Sequence, residues 1–333
     1  MPRPVSTPLP VGILIPTRNA AALWRDHLPQ LQQVIDVAEE VVVVDSESND
    51  GTVELLKSGL SHPRIRFFQH PPGLYASWNF GLSQITARYS YVATAGDTIT
   101  PENLGRLCSL AEKLAVDVMF SVPRFLAATG RPQHSKRWPI HDLIDDLKIT
   151  TPVALTQSEG FIACIPMEAL GGLMGSSASN LYRTAVLRER PFPTAFGNVG
   201  DTAWGITNSL GVRFGVTPQH LADFVIHPQA KPMSAEDRIT LEERLLALAG
   251  EMLGGALAHG SVPPDAEKLS PIVQRFTALR RALRPAKLAY DNGRKHNPFW
   301  FLRPSLIRAR NERNRIRKEL RSLWHDTLHG VRF

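Results

Sequence analysis

The first hundred residues alternate short apolar runs with stretches of helical spacing. Val11–Ile15 is an apolar run closed by Pro16 and reads as a buried strand. From Ala20 to Val37, Leu23, Leu28, Leu31, Val34 and Ile35 recur at the spacing of one helix face. Glu40–Asp45 holds four consecutive valines, the pattern of a strand covered on both faces. Asp50-Gly51-Thr52 opens a short helix, Arg64–Gln69 reads as a third strand, Ala76–Ala87 as a helix and Tyr89–Thr94 as a fourth strand. Thr100-Pro101-Glu102 is a helix start, with a hydroxyl cap, proline at the first helical position and an acid in the first turn. Val116–Val122 is expected to be a fifth strand, and Ile140–Lys148 a helix.

This alternation predicts an α/β fold with a central, mostly parallel sheet. Val212–Val216 and Ala222–Ile226 look like two further strands, reached through the Gly/Pro-rich loop Phe192–Gly200 and a helix starting near Thr202. From Ala235 onward the pattern is helical, broken by prolines. Two regions are therefore expected: an α/β domain over 1–232 and a helical extension over 233–333.

Charge separates the same two regions. Pro271–Phe333 carries 16 Lys/Arg against 4 Asp/Glu, whereas the remainder is mildly acidic. Such asymmetry points to an anionic partner. Arg303–Arg321 interleaves its cations with Leu306, Ile307, Ile316 and Leu320, and Phe299-Trp300-Phe301 precedes it. Two readings stand side by side: an anionic membrane surface met by residues 298–333, or a helix packed on the α/β domain. No helix-turn-helix, RRM or zinc-finger signature accompanies the charge, so nucleic acid is disfavoured. Two cysteines, Cys108 and Cys164, make no disulfide framework, and no secretory signal or spanning run is visible. A cytoplasmic protein is expected, with the tail able to lie on the inner face of the membrane.

In a parallel sheet ligands bind beyond the carboxyl ends of the strands. Three polar clusters fall there: Pro16-Thr17-Arg18-Asn19, the run from Asp45 to Thr52, and Thr94-Ala95-Gly96-Asp97. Their carboxylates and hydroxyls suit a nucleotide, since Asp can accept from a base N–H or ribose hydroxyls. The glycine fingerprints of dinucleotide and P-loop sites are absent, as are G-x-S-x-G and H-E-x-x-H.

From Val11 to Pro228 the chain resembles family 2 glycosyltransferases of the GT-A fold. The resemblance is carried by GILIPTRN, by VVVVDSESNDGT with Asp45, Ser48, Asp50, Gly51 and Thr52, and by GLYASWNFGLSQI with Gly73, Ser77, Asn79 and Gly81. It implies transfer of a sugar from a nucleotide-diphosphate sugar to an acceptor hydroxyl, with inversion, in synthesis of an envelope or extracellular polysaccharide or glycolipid. By the same resemblance Thr17 and Asp45 hold base and ribose. Pro16, Arg18, Asn19, Ser48, Asp50, Asn79, Ala95 and Gly96 complete the donor site. Asp97 lies near the diphosphate and a divalent metal, Mg²⁺ or Mn²⁺, to which His227 can add a ligand, and Asp201 deprotonates the acceptor. The family's usual D-x-D is reduced to Asp97, because Thr94 and Gly96 stand where carboxylates are expected. Mg²⁺ can be held by one or two carboxylates with substrate phosphates and water.

Plain structural roles compete at several positions. Asp50 and Asp201 suit helix starts, Asp97 a turn, and His227 an ordinary loop. Glu159 and Asp223 are the next carboxylates to consider as base. A nucleotidyltransferase would use similar parts but needs a glycine-rich basic loop after the first strand; a glycosyltransferase-like scaffold subunit would need none of the chemistry.

Overall fold

The computed structural model describes residues 8–134, 136–166, 171–226, 233–259, 266–295, 299 and 303–332. The first half runs β1 (Leu9–Thr17), α1 (Ala21–Ile35), β2 (Ala38–Asp45), α2 (Thr52–Gly59), β3 (Ile65–Gln69), α3 (Leu74–Gln84), β4 (Tyr89–Val92), β5 (Thr98–Ile99) and α4 (Pro101–Lys113). It continues with β6 (Val118–Ala127), α5 (Pro139–Asp146), β7 (Val153–Ala154), α6 (Gln157–Cys164), β8 (Asn180–Arg183), α7 (Thr184–Glu189), α8 (Gly200–Asn208) and β9 (Phe214–Ile226). Three long helices follow: α9 (Ala235–Ala258), α10 (Ala266–Lys295) and α11 (Pro304–Arg332).

The strands form one sheet in the order β3-β2-β1-β4-β8-β6-β9-β5, with β7 also on β9. The strands from β3 to β4 are parallel, β8 is antiparallel to both β4 and β6, and β6 and β9 are parallel. Valines of β2 divide by parity. Val42 and Val44 join Leu14 on one face, whereas Val41 and Val43 join Val11, Ile13 and Ile15 on the other. Burial on both faces explains why this strand reads as an unbroken apolar run. Helices α1 and α4 cover the second face through Trp24, Leu31, Leu104 and Leu107. On the first face α3 lies so close that a Cβ on Gly81 would sit 2.3 Å from Leu14 Cδ1 and 2.8 Å from Val44 Cγ2.

Past α4 the structure differs from the sequence pattern. β6 runs on through Pro123 to Ala127, and the two expected strands are one continuous β9, with irregular register near Ser121–Pro123. Proline normally ends a strand, and the bulged register accommodates Pro123 and Pro218. The Phe192–Gly200 segment contains a 3₁₀ turn over Thr194–Val199, and α8 begins at Gly200 rather than Thr202.

The basic tail is packed. Ile316, Leu320, Trp324 and Leu328 of α11 are buried in the same apolar cluster as Ile162 of α6 and Val273 and Phe276 of α10. Their i, i+4 spacing puts them on one stripe of the helix. Arg303, Arg308 and Lys318 face outward, and of the neighbouring apolar residues Phe299 and Ile307 are exposed. Trp300 and Phe301 lie outside the described residues. No described helix is long and apolar enough to cross a membrane.

Candidate functional site

A cleft of ≈ 1030 Å³ opens at the carboxyl ends of β1, β2 and β4. Pro16, Thr17 and Arg18 line it from the end of β1, Ser46 from the end of β2, and Thr94 and Ala95 from beyond β4. Gly73, Leu74, Ser77 and Trp78, from the start of α3, form the opposite wall. Parallel strands deliver these segments to one edge because each helical crossover returns the chain to the same end of the sheet.

Asp45, 5% exposed, is not itself a lining residue but lies directly behind one, Ser46, at the end of β2. Its Oδ2 accepts from Ser48 N–H at 2.9 Å, while Oδ1 is buried with no hydrogen-bond partner. An orphaned carboxylate oxygen beside an open cleft is an acceptor in need of a donor. Thr17 Oγ1 accepts from Trp24 Nε1 at 2.9 Å, which fixes its rotamer against α1.

Other residues expected at the donor site hold the loops that shape it. Asn19 N–H donates to Ser48 Oγ at 2.8 Å, and Asn49 N–H to Asn19 Oδ1 at 2.9 Å. Asp50 accepts from Ala21 N–H at 3.0 Å and from Thr52 N–H at 3.1 Å, so one carboxylate serves the starts of both α1 and α2. The Thr52 hydroxyl beside it is the main cause of its lowered pKa. Asn19, Ser48 and Asp50 thus zip the β1 and β2 loops together. Asn79 follows the lining residue Trp78 but does not line the cleft: its amide clamps the Phe192 backbone, donating to the carbonyl at 2.8 Å and accepting from the N–H at 2.9 Å. Gly96 takes φ 97°, the left-handed turn that carries the chain toward Asp97.

Asp97 lies behind Thr94 and Ala95. Its Oδ2 accepts from Thr94 Oγ1 at 2.8 Å and Ser176 Oγ at 3.0 Å, and its Oδ1 from Val225 N–H at 3.2 Å. Burial pushes its pKa up to about 6 against these three donors. Thr94, standing where a carboxylate is expected, donates to the one that remains. Among the described residues no group of three His, Cys, Asp or Glu is placed to hold a metal ion. One carboxylate already accepting three hydrogen bonds does not fit a protein-built cation cage. His227 lies outside the described residues.

Asp201 occupies the first turn of α8. It accepts from Thr202 N–H at 2.6 Å and from the buried Tyr75 hydroxyl, contributed by the first turn of α3. Burial raises its pKa to about 6, and these donors act in the opposite direction. Gly200 allows this approach, since a Cβ there would lie 2.5 Å from Tyr75 Cδ2. Tyr75 stands between Leu74 and Trp78 of the cleft wall in sequence, so one helical turn both lines the cleft and holds Asp201. Glu159 and Asp223 are engaged elsewhere: Glu159 closes the capping box of α6, and Asp223 pairs with Arg124 at 2.7 Å. Sequence reasoning missed Tyr75 and Ser176. The only signal for either was apolar spacing or a turn, since their carboxylate partners are far along the chain.

A family model described as glycosyl transferase family 2 matches residues 12–167, the stretch that holds β1 to α6. The fold is the GT-A fold of glycosyltransferases. Among solved structures, S. aureus TarS 1–349 is 18% identical, with a TM-score of 0.51, over 97% of this chain and 91% of that one. The Pyrobaculum calidifontis mannosyltransferase PcManGT, in complex with GDP-Man and Mn²⁺, is 19% identical, with a TM-score of 0.51, over 94% and 89%. At these identities the likeness concerns the fold. No curated protein matches the chain in sequence.

Proposed function

We propose that the cleft at the ends of β1, β2 and β4 binds the nucleoside diphosphate of the donor, and that Asp201 activates an acceptor hydroxyl for a single inverting displacement. The buried, unpartnered Oδ1 of Asp45 at that cleft carries the donor half of this reading. Thr17 and Arg18 border the same space, and Arg18 offers an exposed guanidinium for phosphate.

In the reaction the acceptor oxygen attacks the anomeric carbon as the bond to the diphosphate oxygen breaks. The acceptor proton passes to the Asp201 carboxylate, and the nucleoside diphosphate leaves with the bonding pair. Asp201 suits a base because its pKa of about 6 leaves it ionised at neutral pH yet a better proton acceptor than an ordinary carboxylate. Tyr75 and Thr202 orient it. A divalent cation would be held chiefly by the donor's own diphosphate, whose charge it would offset, with Asp97 as the nearest carboxylate beyond β4. The acceptor is a glycan or glycolipid hydroxyl, and the outward cations of α11 favour work at the inner face of an envelope membrane.

Calorimetric titration with UDP-GlcNAc and GDP-mannose, beside the parent nucleotides, tests the donor half. Saturable binding that weakens in Asp45→Asn is expected. Absence of binding by every nucleotide and nucleotide sugar tried would remove the cleft from the argument.

A further inference from the structure

Away from the cleft, α9 and α10 lie side by side and a second cavity of ≈ 980 Å³ opens between them. Arg280, Arg284 and Lys287 of α10 border it, spaced to share one helix face, and Arg238 of α9 faces them. Only Glu242 and Asp291 oppose these four cations along the lining.

Part of the charge is neutralised within the fold. Arg280, 2% exposed, meets Glu242 at 2.9 Å, and Arg284 meets Glu243 at 2.5 Å. Arg238 and Lys287 are different: neither lies within 4.0 Å of a carboxylate among the described residues. Lys287 is half-buried, and its ammonium is pushed below the usual lysine range, first by burial and then by Arg238 and Arg280. Arg317 of α11 adds to the repulsion, and Asp291 alone acts the other way. Like charges gathered over a partly desolvated cavity repel strongly, and a bound anion relieves that repulsion.

We propose that this pocket binds a phosphate or diphosphate group, with Lys287 and Arg238 as its direct partners. A phosphate carries about two negative charges at neutral pH, matching the two cations without a carboxylate, whereas a single carboxylate would leave one of them unmatched. The space is far larger than one phosphate. Met233, Ile239 and Leu288 form apolar walls that accommodate whatever the phosphate is attached to. That attachment is either a soluble phosphate ester or a lipid headgroup, and the chemistry of recognition is the same.

Acetylation of Lys287 in the full chain, followed by mass spectrometry, reports the pocket without reference to the donor cleft. Inorganic pyrophosphate is the soluble probe; vesicles of phosphatidic acid, whose headgroup is a phosphate monoester, compared with phosphatidylcholine, are the lipid probe. At least one anionic probe is expected to slow acetylation of Lys287 while leaving Lys113, exposed on α4, unchanged. Arg238→Gln, an exposed substitution that removes no packing, should raise the concentration needed for protection about tenfold or more, the loss of one charged hydrogen bond. Protection by pyrophosphate identifies a soluble phosphate ligand, and protection by phosphatidic acid alone identifies a headgroup. No protection by either probe, equal protection at Lys113, or protection undiminished in Arg238→Gln would overturn the proposal.

Discussion

Asp201→Asn separates the base from its neighbours through two independent quantities. Raising a carboxyl from 3.8 to about 6 means that the fold disfavours its charged form by about 3 kcal/mol. Folded protein therefore retains a proton that the unfolded chain releases between these values. The sign follows: the contribution to stability is complete below pH 3.8 and is lost as the pH rises through about 6. Asparagine keeps an acceptor for Thr202 N–H and the Tyr75 hydroxyl but carries no charge. Its amide hydrogens add a cost that does not vary with pH. The difference in unfolding free energy, variant minus wild type, should then grow by about 2–3 kcal/mol between pH 4 and pH 8, whatever its starting value. Urea unfolding at the two pH values measures it, and wild-type subtraction cancels Asp97, which shares the same window. Catalysis should move the other way. Donor hydrolysis, read as released nucleoside diphosphate, needs no acceptor; it should rise with pH through about 6 in the wild type and fall about 10²–10⁴-fold in the variant. Unchanged hydrolysis, or parallel stability profiles for the two proteins, would refute the assignment.

Three further outcomes follow from the geometry. Asp45→Asn puts an amide hydrogen where an acceptor oxygen is unpartnered, and nucleoside diphosphate binding should weaken by about 1.5–3 kcal/mol in calorimetry. Mn²⁺ or Mg²⁺ should bind the nucleotide-free protein poorly and bind better when nucleoside diphosphate is present, as followed by titration in both states. Trp324→Ala, which empties a site 2% exposed between α6 and α10, should cost about 3–5 kcal/mol in urea unfolding; a loss below 1 kcal/mol would mean that α11 is not docked there.

The sequence made the β1–β4 half legible because its strands are fully buried and its helices amphipathic, so periodicity alone locates them. The three polar clusters were legible for the same reason: strand ends in a parallel sheet define the binding edge. Roles within the clusters were less so. Asp45 and Asp50 carry the same carboxylate five residues apart, and only the fold reveals that Asp50 caps two helices while Asp45 keeps an oxygen unpartnered. Asp201 gave its position but not its surroundings, because Tyr75 lies on α3 and the segment leading to Asp201 is held against that helix by the Asn79 clamp on Phe192. The strands at Val116–Val122, Val212–Val216 and Ala222–Ile226 were legible, but the extension of β6 to Ala127 and the continuity of β9 were not, because prolines normally end strands and the bulge that tolerates them leaves no local signature. In the tail, the basic residues drew attention from Ile316, Leu320, Trp324 and Leu328, whose regular spacing already marks a core-facing stripe.

Docking of α11 on α6 bears on how the protein assembles during synthesis. The strands from β1 to β4 find their partners within a short length of chain and can associate early. The apolar surface of α6 cannot be covered until α11 has been made, well over a hundred residues later. At translation rates of about 5–20 residues per second the delay is several seconds or more. Through that interval Ile162 and Ile165 lack the cover that Trp324 and Thr327 later provide. Chaperone dependence, and aggregation of ribosome-stalled or prematurely terminated chains, should therefore concentrate on products that end between α6 and α11.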